Sequence, residues 1–319
     1  MPDNVLSNLS ILRKEFMAQD IANILNLNLI FPPGSLPSQR SDAPSIRYGK
    51  DTNSDATDPL KLDADYLASS AEFPTVKISS IAQDYKGLTR YGLSMEFDED
   101  VRRYQSKLDE VVRARNRVAY WLASQRNTLA INAIVDSTWG SGSSLTDDAT
   151  GGPRVVSTSA AWTGSTINPV ADAITAIQTL EDQNGYAYNL TDMWLPIKSY
   201  YNFVKYVVDN DSAAWQPDSL GSLVVPAVGP TKFHMVRAYP TGQFTSSAGQ
   251  VGLGMDMRNP AVTRYFSTVQ DGTYTEAGDG LMVHQFDEDR TNKLVYQFWF
   301  EEAYVNREPL SVILLDDLD

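Results

Sequence analysis

Tyr91-Gly92-Leu93-Ser94-Met95-Glu96-Phe97-Asp98-Glu99-Asp100 runs directly into a stretch, Val101 to Trp139, that contains neither Pro nor Gly. The first part alternates loosely, and Leu88 to Phe97 reads as a strand. The three acids then put negative charge at the positive end of a helix dipole. Beyond them, apolar residues recur at Val101, Tyr104, Leu108, Val111, Val118, Leu122 and Leu129, a 3–4 spacing interrupted by Arg115 and Gln125. That spacing predicts a helix over 98–136, about 58 Å long at 1.5 Å per residue. Gly140 and the Gly/Ser run to Ser144 end it. A helix of this length with a single apolar stripe needs a sheet or loop to lie against.

Upstream, Val76, Ile78 and Ser80 alternate with Lys77 and Ser79, which predicts a strand over Thr75–Ile81. Asp84-Tyr85-Lys86-Gly87 supplies a turn, so a β-hairpin is expected ahead of the long helix. Residues 4 to 27 carry Leu6, Leu9, Leu12, Phe16, Ile21, Ile24 and Leu25 at roughly helical spacing, stopping before Pro32-Pro33-Gly34. The Pro-, Ser-, Asp- and Gly-rich segment from Phe31 to Asp58 reads as an extended arm and loop with little core of its own.

Downstream, a loop rich in small residues precedes a short strand at Arg154 to Ser157. Asn168-Pro169 then sets an N-cap with Pro at the first helical position, and Ala173, Ile174, Ile177 and Leu180 form the buried face. Asn184-Gly185 terminates that helix. Met193 to Leu195 is a short buried strand ended by Pro196, and Ser199 to Val208 is a second helix with Tyr200, Phe203, Val204 and Val207 facing inward. From Leu223 on the pattern is β. Strands are expected at Phe233–Ala238, Gln250–Asp256, Val262–Val269, Leu281–Phe286, Lys293–Tyr304 and Leu310–Leu315. Turns are expected at Pro240-Thr241-Gly242, Gly278-Asp279-Gly280 and Asp287 to Asn292.

The chain has 319 residues, 42% of them hydrophobic and 10% aromatic, enough for a sizeable core. Its formal net charge of -14 makes it a poor general coat for phosphates, which demand positive patches. The same charge opposes self-association until salt screens it, to roughly 8 Å at physiological ionic strength. With no Cys, disulfides, thiolate metal sites and Cys nucleophiles are excluded. Arg13, Lys14 and Glu15 interrupt any apolar signal-peptide core, and no apolar stretch is long enough to span a membrane. Cytoplasmic synthesis and use are expected.

No catalytic, cofactor-binding or metal-binding residues are assigned. His234 and His284 each fall inside a predicted strand, where a hydrogen-bonded structural role fits better than a ligand or base. No G-x-S-x-G elbow, P-loop or helix-opening G-x-G-x-x-G occurs, and Val251-Gly252-Leu253-Gly254 reads as strand. Of the acidic clusters, Asp98–Asp100 reads as a helix cap, Asp287–Asp289 as a hairpin tip and Asp316–Asp319 as a solvated tail. The long helix carries Arg102, Arg103, Lys107, Arg113, Arg115, Arg117 and Arg126. Salt bridges to the acidic excess, within or between subunits, explain these better than contact with enclosed nucleic acid.

The order of elements is arm, hairpin loop, long helix, α/β middle and returning strands. It resembles the Hong Kong 97 type capsid fold of tailed-virus major capsid proteins, shared with encapsulin shells. Tyr91 to Asp100 looks like that family's strand leading into its spine helix. Asn184-Gly185-Tyr186 through Pro196-Ile197-Lys198-Ser199-Tyr200 resembles its axial-domain core, and Leu294 to Leu315 its closing strands. The resemblance implies an α+β fold with an N-terminal arm (1–45), an extended loop (46–82) and a peripheral domain with the spine helix (83–150). An axial domain (151–260) and further peripheral strands (261–319) complete it. It implies no enzyme and no cofactor, but a structural protein of the virion capsid, built in the host cytoplasm by self-assembly into pentamers and hexamers. The icosahedral shell of a tailed virus, enclosing double-stranded DNA without sequence-specific binding, is the implied product.

Contacts through arm and loop, a separate scaffolding protein, a portal and decoration proteins are the partners implied. Some members of the family cross-link a loop lysine to an asparagine; here Lys50, Lys61 and Lys77, with Asn292 and Asn306, single out no pair. The alternatives are an encapsulin-like compartment, favoured by the helix at 4–27, and a non-catalytic carbohydrate- or ligand-binding α+β protein with stacking Trp and Tyr.

Overall fold

The computed structural model describes residues 14–50, 82–98, 108–135, 153–158, 161–162, 168–182, 188–209, 216–217, 223–224, 231–236, 244, 246, 249–268, 275–288 and 293–319. Helix α1 (Lys14–Leu27) buries Met17, Ala18, Ile21, Ala22 and Leu25, a stripe one helical turn apart. Its end is closed by Asn28, whose Nδ2 donates to the Ile24 carbonyl at 2.7 Å. The chain then turns through Pro32-Pro33-Gly34, with Gly34 at φ 84°. Phe16, expected to face inward, is 55% exposed, because Met17 and Ala18 take the core side of that turn.

Two sheets follow. The first contains β1 (Ser38–Arg40), β4 (Thr89–Asp98), β11 (Val262–Ser267), β12 (Thr275–Gly278), β13 (Leu281–Glu288) and β14 (Lys293–Asn306). β14 is its axis: β4 lies along one side from Thr89 to Asp98, while β13 and β11 share the other side end to end. Helix α2 (Leu108–Val135), about 42 Å long at 1.5 Å per residue, and α1 cover the inner face. Leu294, Tyr296, Phe298 and Phe300 point into that core with Met95 and Phe97, as the two-residue strand period requires.

The second sheet runs β5 (Arg154–Ser157), β15 (Val312–Asp316), β10 (Gly252–Met255), β6 (Asp192–Pro196), β9 (Lys232–Val236), β8 (Leu223–Val224) and β7 (Gln216–Pro217). Helices α3 (Pro169–Glu181) and α4 (Ile197–Asp209) cover one face. Asn168 caps α3 as expected, its side chain accepting from the Ala171 amide, with Pro at the first turn. Phe203 and Val207 of α4 are buried, with Tyr200 and Val204 packed beside them. The other face meets Ile30, Phe31, Leu36 and the Ala130–Ile134 end of α2. One helix therefore contributes to the cores of both sheets, Val111 to Ala123 to the first and Ala130 to Ile134 to the second.

Several expectations are corrected. Asp98 does not open the helix; it is the last residue of β4, paired with Lys293, and the described helix begins at Leu108. Asp84 to Gly87 is not a turn but part of β3 (Ala82–Gly87), which pairs antiparallel with β2 (Ser45–Lys50). The expected strand at 75–81 lies outside the described residues. The segment after Phe31 is not coreless: Phe31 and Leu36 are buried, and β1 adds to the first sheet by a parallel pairing with β11. Propensity favoured loop there, and burial of two apolar side chains overrode it.

The final strand also moves. β15 does not close the sheet of β14; it inserts between β5 and β10 of the second sheet. The reason lies in its run Val312-Ile313-Leu314-Leu315. Ile313 and Leu315 enter the core under α3 and α4, and Val312 and Leu314 enter the opposite one. A strand apolar on both faces suits only the centre of a covered sheet. The tail after it is solvated only in part, with Asp319 exposed and Asp317 half-buried. Leu318 is fully buried, its amide donates to Gln250, and Asp316 accepts from Ser246 Oγ at 2.5 Å.

Candidate contact surfaces and a buried charge cluster

Alternation along β14 places Glu302 on the same side as Phe298 and Phe300, with no exposed surface. A carboxylate there requires cations. Arg126 of α2 reaches it at 2.6 Å and Arg264 of β11 at 2.5 Å. Both guanidiniums also donate to the Asp279 backbone carbonyl at 2.7 Å. The Asp279 carboxylate bonds Arg126 at 3.1 Å and Arg264 through its other oxygen. Tyr304 donates its hydroxyl to Glu302 at 3.2 Å. Two positive and two negative groups thus balance.

The location has a backbone cause. Gly278, Asp279 and Gly280 all have positive φ, 114°, 52° and 74°, in the turn joining β12 to β13. This turn stands where β11 leaves β14 and β13 takes over. At such a junction the Asp279 carbonyl has no ladder partner among the described strand pairings, and the arginines satisfy it. A cavity of about 10 Å³, room for one water, lies beside it between Arg264, Asp279 and the Pro32-Pro33-Gly34 turn. Burial alone would lower the Arg264 pKa; the Glu302 charge, aided by Tyr304 and Asp279, outweighs it and holds the group above its ordinary value. Burial, then Glu302, pushes the Tyr304 phenol well up.

The basic run of the long helix is therefore divided. Arg126 is internal, and Arg115 pairs with Asp20 of α1. Arg113 and Arg117 are exposed, while Arg102, Arg103 and Lys107 lie outside the described residues. His234 contacts Asp192 at 2.6 Å and stacks on Trp194, and His284 stacks on Phe286. Among the described residues no group of three potential metal ligands comes together. Gly252 and Gly254 are strand residues; a Cβ on Gly254 would stand 2.7 Å from Ile313 and Leu190. Asn306 is buried and donates to the Ile134 carbonyl at 3.0 Å, which ties up its amide. Lys61, Lys77 and Asn292 lie outside the described residues.

Glu302, Arg264 and Asp279 were not anticipated from sequence. The signal was present in the strand period, which puts an acid in an apolar row, but the counter-charges come from other elements.

The surface carries its large apolar groups unevenly. Of the described residues, Tyr85 on β3 and Phe286 on β13 are exposed singly; Phe16 and Leu27 on α1, Val112, Tyr120 and Trp121 on α2, and Ile197, Tyr201 and Val208 on α4 are exposed in groups. The last three lie along one stripe, at i, i+4 and i+11. Exposed apolar groups gathered on a few elements mark contact surfaces.

No protein-family model matches the sequence, and no curated protein matches it. Solved structures do. A phage-related protein from Bordetella bronchiseptica superimposes with a TM-score of 0.55 at 14% identity, over 93% of this chain and 95% of that one. The capsid of cyanophage P-SCSP1u gives 0.56 at 12% identity, over 88% and 86%. An encapsulin complex from Synechococcus elongatus gives 0.53 at 10%, over 89% and 85%. With two sheets, a long helix shared between their cores and similarity over nearly the whole length of these proteins, the chain has the Hong Kong 97 type capsid fold.

Proposed function

We propose that this chain is a shell subunit: a major capsid protein that assembles into pentamers and hexamers of an icosahedral shell around the double-stranded DNA of a tailed virus. The observation that carries this reading is the extent of the fold match, 93% of this chain against 95% of a phage-related protein. The apolar stripe on α4 supports it, since rings of five or six need repeated heterologous contacts.

In this reading the first sheet with α2 is the peripheral domain and the second sheet with α3 and α4 the axial domain. The latter spans 151–260 together with the closing strand β15. Residues 1–45 form the arm and 46–82 the extended loop, whose base is the β2–β3 ribbon. The subunit acts as a wall, without catalysis. Its partners are further copies of itself, a scaffolding protein, a portal and decoration proteins, and its place is the virion, after assembly in the host cytoplasm.

The likeness to an encapsulin favours a second reading, a protein compartment. A sugar-binding role is disfavoured because Tyr296, Phe298, Trp299 and Phe300 are spent in the core. Negative-stain electron microscopy of purified protein across a salt series tests the proposal. Closed shells or rings, promoted by moderate salt, support it; a compact monomer at every salt and with lysate from the native host overturns it. Shells holding enzyme in place of DNA would select the compartment.

A further inference from the structure

From Val111 to Val135, helix α2 contains no Asp or Glu, in a chain where acids are 40 of 319 residues, yet it contains four arginines. Arg115 and Arg126 are consumed internally. The exposed positions of this stretch are Val112, Arg113, Asn116, Arg117, Tyr120 and Trp121, pairs repeating every four residues and so forming one face. That face is cationic, aromatic and free of carboxylates. Asp109 and Glu110 stand one turn earlier, within reach of Arg113 but not of Arg117.

We propose that this face of α2 is a contact site for nucleic acid. Arg113 and Arg117 meet backbone phosphates, and Trp121 stacks on bases where the strand is unpaired. The charge complementarity is local: a chain of net charge -14 repels polyanions overall, and an exposed helix face with two guanidiniums and no carboxylate from Val111 to Val135 is a part able to approach one. Four residues apart, they lie about 6 Å from each other along the helix axis, so both can face one backbone at once. Guanidinium with flat aromatic faces is the combination that holds single strands without sequence preference. Each contact is weak and salt-labile, and a shell repeats it many times. The inference rests on the shell reading only for the source of the nucleic acid; the contact itself is a property of the subunit.

The test is fluorescence anisotropy of a labelled 30-nucleotide DNA, single-stranded and as a duplex, titrated with the full-length protein over a salt series. Shell formation is scored separately by microscopy, so the two readings can fail independently. The single strand should bind more tightly, with a slope of log K against log salt of about -1.4 for two phosphate contacts. Arg113→Gln with Arg117→Gln should abolish that slope and lower affinity at least tenfold at low salt, whereas Lys at both positions should retain the slope. Trp121→Ala should remove the preference for single strands. Unchanged binding in the Gln double variant overturns the proposal. So does a natively folded Gln double variant that has lost shell assembly, which would make this face a contact between copies. So, finally, does retention of a polyglutamate peptide in place of both DNAs, which would mark a protein partner.

Discussion

Arg126 on α2 and Glu302 on β14 lie 2.6 Å apart with 1% and 0% of their side chains exposed. This pair, shared with Arg264 and Asp279, bolts the long helix to the axis of the first sheet. A buried ion pair is weak evidence of net stability, since desolvation offsets most of the attraction, but removal of one partner strands the others.

Glu302→Leu should therefore destabilise the subunit by about 3–5 kcal/mol. Lys293→Ala, which breaks the exposed bridge to Glu96, should cost about 0–1 kcal/mol. Urea unfolding of both variants checks this. Equal losses would mean that the cluster does not anchor the helix.

Gly254 sits where β10 passes between Ile313 and Leu190, each 2.7 Å from the position of an added Cβ. Gly254→Ala should cost about 1–3 kcal/mol through overpacking, read as a lowered denaturant midpoint. An unchanged midpoint would show that β6, β10 and β15 have slack that their register does not suggest.

Leu318 has no exposed surface and closes the core under α3 and α4. Leu318→Ala should destabilise by about 2–5 kcal/mol. A surface tail would tolerate the change, so a neutral result in thermal unfolding would return the C-terminus to solvent.

Asp256 gives a pH dependence. Burial by itself raises its pKa, but hydrogen bonds from the Arg258 side chain and from the Asn189 and Arg258 amides outweigh burial and hold it below the ordinary value. The unfolded carboxyl titrates near 3.9 or so. Its contribution is fully present above that pH and disappears as pH falls through the lower folded value. Asp256→Asn should be less stable at pH 7 and show a shallower loss of stability below about pH 4. Parallel acid curves for the two proteins would contradict this.

Ile197, Tyr201 and Val208 are 42%, 58% and 53% exposed along α4. Changing Ile197 and Tyr201 to Asp should leave subunit stability within about 0.5 kcal/mol per site while preventing shells or rings. Intact shells would exclude this stripe from the subunit contacts.

Much of the element list was legible because local rules suffice for it. The α3 cap at Asn168-Pro169, the apolar period of the long helix, the Gly278-Asp279-Gly280 turn and the strand runs of β13 and β14 all depend on residues within a few positions of one another. The order of those elements was enough to suggest the fold class. What local patterning missed was partnership. Ser38 to Arg40 and Thr275 to Gly278 are too short and polar to declare themselves, and are strands because an edge was there to receive them. Asp98 looked like a cap and became a strand end because Lys293 stood opposite.

The sequence by itself determined the longer strands and helices, the absence of thiol chemistry and the net negative charge, because each follows from residue type and short-range spacing. Only the tertiary structure decided which sheet takes Val312 to Asp316, which arginines of α2 are buried and which exposed, and where Glu302 finds its counter-charges. Those outcomes depend on groups far apart in the chain, brought together by burial of apolar surface, a force that is strong but carries no label for its partner.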